Sequence, residues 1–453
     1  MDFGFEGFDS SDFETELEDF EVKQFKKFDR IWRIGFGGSV VSPPFAKDGI
    51  VYVGSMDNYL YAIGISSGEM AWRFKANGSI GHASPRIMEG KIFFGSMDGT
   101  FYSLDEKSGR ELWRFRTGGG IWCSCEAKDG KVFFGSKDSC VYALEAETGK
   151  ELWRFKTGNE VASVPLLHEN NVYIGSFDGY VYCLDADTGK ETWRFRTGGE
   201  IYNNKPLIHE NVIYIASFDG YLHAIDLGTR EAKWMFRMGK YGNTGSPVIY
   251  KDVIYFGSRD GVFYAISLDG KEKWRFVTGK LVSPPAVIYK NRIYFGGEDD
   301  SIHCLDMRGN EVWRFHVGGN TNSCPAIYDN ILVFGSWDCH VYAVNPDNGE
   351  KIWSFPTSSL VQCFMPPADE AFKVEVKKTA FEETKRDEKY RPGKGDTISL
   401  SDYHIESEYS TESEYKQKSD YGTSFVIFED VMEGENIWIS DSRDLRPQIL
   451  MSN

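Results

Sequence analysis

Hydrophobic and polar residues alternate in short runs through the middle of the chain, and turn residues separate the runs. Val172–Ser176 alternates, Asp178-Gly179 has the composition of a two-residue hairpin turn, and Tyr180–Leu184 follows as a third strand. Asp187-Thr188-Gly189 marks a second turn before Glu191–Arg196, and Ala162–Leu167 precedes the set. The pattern predicts four strands of about five residues with no helical period.

The unit recurs. Tryptophans stand at 32, 72, 113, 153, 193, 234, 274, 313 and 353, at intervals of 39 to 41 residues. A second ladder runs between them: Gly54-Ser-Met-Asp57, Gly95-Ser-Met-Asp98, Gly135-Ser-Lys-Asp138 and Gly175-Ser-Phe-Asp178. It continues as Ala216-Ser-Phe-Asp219, Gly257-Ser-Arg-Asp260, Gly296-Gly-Glu-Asp299 and Gly335-Ser-Trp-Asp338. Eight copies of a four-strand unit predict an all-β, eight-bladed β-propeller with four-stranded blades over residues 31–356. Outside it lie 1–30 and 357–453, expected to be flexible acidic segments.

Each of the eight later tryptophans follows a small residue by nine or ten positions: Ala62, Ser103, Ala143, Cys183, Ala224, Ala265, Cys304 and Ala343. A small residue leaves a depression that an indole from a neighbouring sheet can fill. At ~200 Å² per ring and ~25 cal/mol per Å², each docked indole stabilises by at most about 5 kcal/mol. Trp32 has no such motif before it. Either Phe28–Phe36 or Lys351–Phe355 supplies the outer strand that closes the ring, and the pattern leaves both open.

The segments Ala143-Leu-Glu-Ala-Glu-Thr-Gly-Lys-Glu-Leu-Trp153 and Cys183-Leu-Asp-Ala-Asp-Thr-Gly-Lys-Glu-Thr-Trp193 resemble the tryptophan-docking motif of the pyrroloquinoline-quinone (PQQ) repeat superfamily. The Gly-His…Trp-Asp signature of WD-type blades is missing. The resemblance implies an eight-bladed propeller. The family includes quinoprotein dehydrogenases and the non-enzymatic propeller lipoprotein of the bacterial outer-membrane assembly machine. The dehydrogenases, as the family implies, use adjacent cysteines, a calcium ion held by carboxylate and amide side chains, an Asp base and long insertions. This chain has no Cys-Cys pair, and its near-constant repeat leaves no room for such insertions. The resemblance therefore favours the non-enzymatic type, with no cofactor, catalytic or metal-ligating residue assigned.

Charge sharpens the picture. The net charge is −17: residues 1–30 carry 10 acidic and 4 basic side chains, 357–453 carry 20 and 12, and 31–356 carry 38 and 35. A near-neutral body with acidic ends does not attract nucleic acid or anionic lipid, so neither nucleic acid nor membrane is expected as a partner. No stretch approaches the ~20 apolar residues of a membrane span. The acidic start lacks the basic, apolar plan of a secretion signal, so a cytoplasmic location is expected. The eight cysteines then read as reduced structural thiols.

The repeated Asp reads as a turn residue rather than a set of catalytic carboxylates. The Arg after most of the tryptophans reads as a solvated strand residue, a ring-shaped anion surface being the sharper alternative. The histidines form no HExxH motif, and His168 and His209 fall at equivalent places just after strand one.

Binding chemistry concentrates in the loops that lead into strand one. Three are bland: Val40-Val-Ser-Pro, Val161-Ala-Ser-Val-Pro and Leu281-Val-Ser-Pro. Others carry His82, Trp122, Tyr202-Asn203-Asn204-Lys205, Tyr241, Asn243, Thr244, Asn320 and Asn322. Amide and ring groups at one channel mouth suit a protein or small polar ligand; a water-filled channel lined by satisfied amides is the plainer alternative. Further docking segments are expected in the flanks. Phe13, Leu17, Phe20 and Phe28 share one face of an acidic helix over about 12–28, which packs on a partner or on the propeller itself. Phe425, Phe428 and Trp438 mark apolar islands beyond a polar tether, 366–420. The expected function is a non-catalytic scaffold that assembles protein partners on a rigid ring. The alternative is a small-ligand sensor or enzyme working at the channel mouth.

Overall fold

The computed structural model describes residues 38–239 and 245–357, together with the strands Phe425–Ile427, Ile437–Ser440 and Gln448–Leu450. Residues 38–357 form eight four-stranded antiparallel sheets, each ordered by sequence. In the fourth blade the strands are Leu166–His168, Asn171–Gly175, Tyr180–Asp185 and Glu191–Arg196. The first strand is shorter than the pattern suggested, because 162–165 belong to the crossover from the preceding blade, and His168 ends that strand rather than following it.

The expected polar–apolar alternation holds only for the outermost strand, where Glu191–Arg196 alternates between exposed and half-buried residues. Val172–Gly175 and Val181–Leu184 are buried throughout, since a neighbouring blade covers each face of the middle strands. The molecule accordingly has eight cores, one at each blade interface, rather than one central core.

The tryptophan does not fill its depression from a neighbouring sheet, as the pattern suggested. Ala143 pairs directly with Trp153 inside one blade, Ala62 with Trp72, and so on, and a β-bulge follows the small residue in every blade. The bulge turns the indole onto the next blade, where in seven of the eight cases it rests on a turn glycine with positive φ. A Cβ on Gly109 or Gly149 would stand 2.5 Å from Trp72 or Trp113. Six indoles also donate N–H to a carbonyl of the next blade, for example Trp153 Nε1 to Ala186 O at 3.0 Å.

A second joint lies nearer the axis. Ile201, leading into blade five, inserts where Gly175 of blade four lacks a side chain, and its N–H donates to Ser176 O at 3.2 Å. Gly54, Gly95, Gly135, Gly257, Gly296 and Gly335 receive the corresponding Ile80, Ile121, Val161, Val282, Thr321 and Val40. The last pair closes the ring, with Val40 N–H donating to Ser336 O at 3.0 Å. Lys351–Pro356 is the outer strand of blade eight, paired with His340–Val344, so every blade is contiguous in sequence. Trp32 and Phe28–Phe36 lie outside the described residues.

In the second compact unit of the chain, Phe425–Ile427, Ile437–Ser440 and Gln448–Leu450 form an antiparallel sheet, with Ile427 opposite Trp438. Two of the expected apolar islands thus pair with each other.

Candidate functional site

The crossovers from each outer strand to the next inner strand all lie on one face of the ring. They hold one another in a belt. Ser323 Oγ donates to Ser42 O (3.0 Å), Ser42 Oγ to Ala83 O (3.0 Å) and Ser84 N to Ser124 Oγ (2.9 Å). Cys123 Sγ donates to Ala162 O (2.9 Å), Val164 N to Asn204 O (3.1 Å), and Asn204 Nδ2 to Gly245 O (2.7 Å). Such stitching makes the face a fixed surface.

The expected site residues divide. Asn204 is fully buried in the belt. Asn203 takes a positive φ of 47° and donates its N–H to Ala162 O at 2.7 Å, a geometry Asn tolerates. Lys205 reaches two blades back to Glu126, Nζ–Oε2 2.6 Å. Asn322 donates to Glu298 Oε1 at 3.2 Å, and Asn320 with its amide turned donates to Asp300. Tyr241, Asn243 and Thr244 lie outside the described residues, as do Phe13, Leu17, Phe20, Phe28 and Phe428; Phe425 and Trp438 fall in the strands given above.

His82, Trp122 and Tyr202 come together. Their rings follow one another at centroid distances of 5.4 Å and 6.4 Å, although Trp122 and Tyr202 belong to crossovers two blades apart. The small Ala162 of the bland crossover between them leaves the space. Phe177 packs edge-on to Tyr202 at 5.5 Å, and Phe218 follows at 6.1 Å. Lys137 lies over Trp122 at 5.1 Å and Arg259 over Phe218 at 5.1 Å. The result is a half-buried aromatic arc with one cation over Trp122 and another over Phe218. Burial pulls the His82 imidazole down to about 4, so it is neutral in ordinary buffers, and burial pushes the Cys123 thiol far above its usual range.

Phe177, Phe218, Lys137 and Arg259 were not anticipated. All occupy the third place of the Gly-Ser-x-Asp ladder, whose N–H bonds the crossover, as Phe177 N to Glu160 O at 2.9 Å. That one freely varying position inside a nearly constant motif was the available signal.

The Asp of the ladder has the turn role expected of it. Asp138 and Asp178 accept the next strand's N–H, a Tyr hydroxyl at 2.7 Å, and a crossover Gly N–H at 2.8 and 2.7 Å. The Arg after Trp is likewise engaged: Arg114, Arg154 and Arg275 each pair with the Glu three residues back and lie over Tyr102, Tyr142 and Tyr264. Among the described residues no cluster of His, Cys, Asp and Glu could hold a metal ion. No helix among them is long and apolar enough to cross a membrane.

The family described as "Outer membrane protein assembly factor BamB" matches residues 19–122, 98–179, 137–281 and 259–376. The chain is similar in structure to BamB from Moraxella catarrhalis, with a TM-score of 0.56 and 21% identity over 68% of this chain and 91% of that one. It is also similar to the computationally designed Ika8 protein, with a TM-score of 0.61 and 18% identity over 68% and 96%. No curated protein matches the sequence.

Proposed function

The chain belongs to the family of the outer membrane protein assembly factor BamB, and from that premise we propose that it is a non-catalytic scaffold holding partner proteins on its crossover face. The observation that carries this reading is the aromatic arc from His82 to Phe218, flanked by Lys137 and Arg259 on a belt of fixed crossovers. Aromatic and Arg side chains on a rigid, half-buried surface are the chemistry of interface anchors. The ladder carboxylates are committed to turns, His82 is held neutral and the Cys123 thiol is buried, which argues against acid–base or thiol chemistry at this face.

The test is affinity capture from the native cell with the full chain and with the double variant Trp122→Ala/Tyr202→Ala. The wild type retains its partners and the variant loses them at unchanged melting temperature; equal capture by both would remove the surface. The same cells, broken and fractionated, test the proposed cytoplasmic location. Recovery with membranes would place the scaffold at a membrane surface, the setting for which the family is named.

One observation favours a second reading. Asn204 Oδ1, Asn322 Oδ1 and Trp337 Nε1 are buried and make no hydrogen bond among the described residues. A small polar ligand would satisfy them. Native mass spectrometry of the intact protein distinguishes the two: a retained small mass supports the ligand, and co-purified subunits the scaffold.

A further inference from the structure

The crossover face is basic along its outer edge, but only over part of the ring. The last residues of the outer strands in blades one to five are Lys75, Arg116, Lys156, Arg196 and Arg237, all exposed. In blades six to eight the same place holds Val277, His316 and Pro356. None of the five cations pairs with a carboxylate among the described residues; Lys75 and Arg196 each lie 5.9 Å over a Tyr ring, and Lys156 donates to Asp138 O. Glu160 and Glu200 stand on the same face, Glu160 3.7 Å from Lys137. The aromatic arc occupies this basic sector.

On the opposite face the first turns are acidic, while the second turns mix both signs, with Lys107, Arg110, Lys150, Lys190 and Arg230 exposed there. The first turns of blades one to five carry Asp48, Glu89, Asp129, Glu169 and Glu210, every one exposed and at positive φ. The exposed outer edge of blades one to five therefore offers an acidic chain a row of cations that no described carboxylate neutralises.

Such a chain is tethered beside the attractive face. Gly38 opens the crossover into blade one, where its carbonyl accepts from Ser55 Oγ at 3.1 Å and from Thr357 Oγ1. Residues 1–30 precede it with 10 acidic and 4 basic side chains and seven phenylalanines. At ~3.3 Å per residue, the 37 residues before Gly38 reach up to about 120 Å. Five blades at ~10 Å each span about 50 Å.

We infer that residues 1–30 are an intramolecular ligand of the crossover face, their phenylalanines on the Trp122–Tyr202–Phe218 arc and their carboxylates facing the basic edge of blades one to five. This rests on the reading of that face as a docking surface, and it adds regulation: a partner binds by displacing the chain's own segment.

The test uses the full chain with Phe20 replaced by photo-reactive benzoylphenylalanine, irradiated and mapped by mass spectrometry. The expected cross-links fall on the crossovers that carry Trp122 and Tyr202, with yield independent of dilution. They drop at least threefold in 1 M salt or in the variant Arg196→Glu/Arg237→Glu, whose exposed substitutions leave the melting temperature unchanged. Cross-links on the acidic turns, cross-links that fade on dilution, or none at all would overturn the proposal. Failure to capture a partner bears on the scaffold function alone, so the two ideas fail separately.

Discussion

Trp353 donates its indole N–H to the carbonyl oxygen of Ile65, 2.7 Å away and 288 positions earlier in the chain. The contact repeats, between the last blade and the first, the bond Trp153 makes to Ala186 in the next blade along. Gly68 lies beneath the ring at φ +71°, where a Cβ would stand 2.7 Å from the indole. Trp353→Ala is expected to cost about 3–5 kcal/mol, read by chemical denaturation of the purified protein. Trp193 is the contrast. Arg230 takes the positive φ that glycine takes elsewhere, and among the described residues the Trp193 indole donates no such bond. Trp→Phe at 353 is therefore expected to cost about 1 kcal/mol more than at 193; equal costs would count against the indole bond.

The inner joint makes a coupled prediction. Gly175→Ala drives a methyl group into Ile201 and is expected to destabilise by about 1–3 kcal/mol. Gly175→Ala with Ile201→Ala is expected to cost less than the sum of the single changes, by about 1 kcal/mol in a double-mutant cycle. Strict additivity would show that the two residues do not share this space.

His303 sets a pH dependence. It is fully buried in blade seven, bonded to Asp299 Oδ2 at 2.8 Å and to Glu311 Oε1 at 2.9 Å, in the place where Tyr61, Tyr142 and Tyr342 stand in other blades. Burial lowers its affinity for a proton, yet the two carboxylates outweigh burial and hold the imidazole above its usual value. Its contribution is therefore complete below the unfolded value near ~6.5 and fades as pH rises through the folded value. The stability difference between wild type and His303→Gln is expected to shrink from pH 6 to pH 9. A difference that stays constant would show that the ring is neutral throughout.

Asn203 separates architecture from recognition. Its positive φ of 47° suits glycine at least as well, so Asn203→Gly is expected to leave stability within about 1 kcal/mol of wild type. Partner capture by that variant then reports whether the amide itself is part of the docking surface.

The ring was legible because the constraints that build it recur in sequence: a Trp, a small residue opposite it, a Gly-Ser-x-Asp turn. Where the indole comes to rest was not, because the bulge after Ala143 that redirects Trp153 leaves no separate mark in the pattern. The arc was half legible. His82, Trp122 and Tyr202 stood out against bland crossovers. Their meeting depends on Ala162 in the crossover between, and on Phe177 and Phe218 at a position that varies from blade to blade. His303 was not singled out in the sequence, and its second carboxylate, Glu311, arrives from the neighbouring strand.

Because each blade is a contiguous stretch, and the joint from blade eight to blade one uses the same glycine and indole contacts as most of the others, no blade is obliged to come first. New termini opened at a crossover should yield the same circle, and a gene that gained or lost one whole unit would meet glycine-and-indole couplings of the same kind at most of its new neighbours.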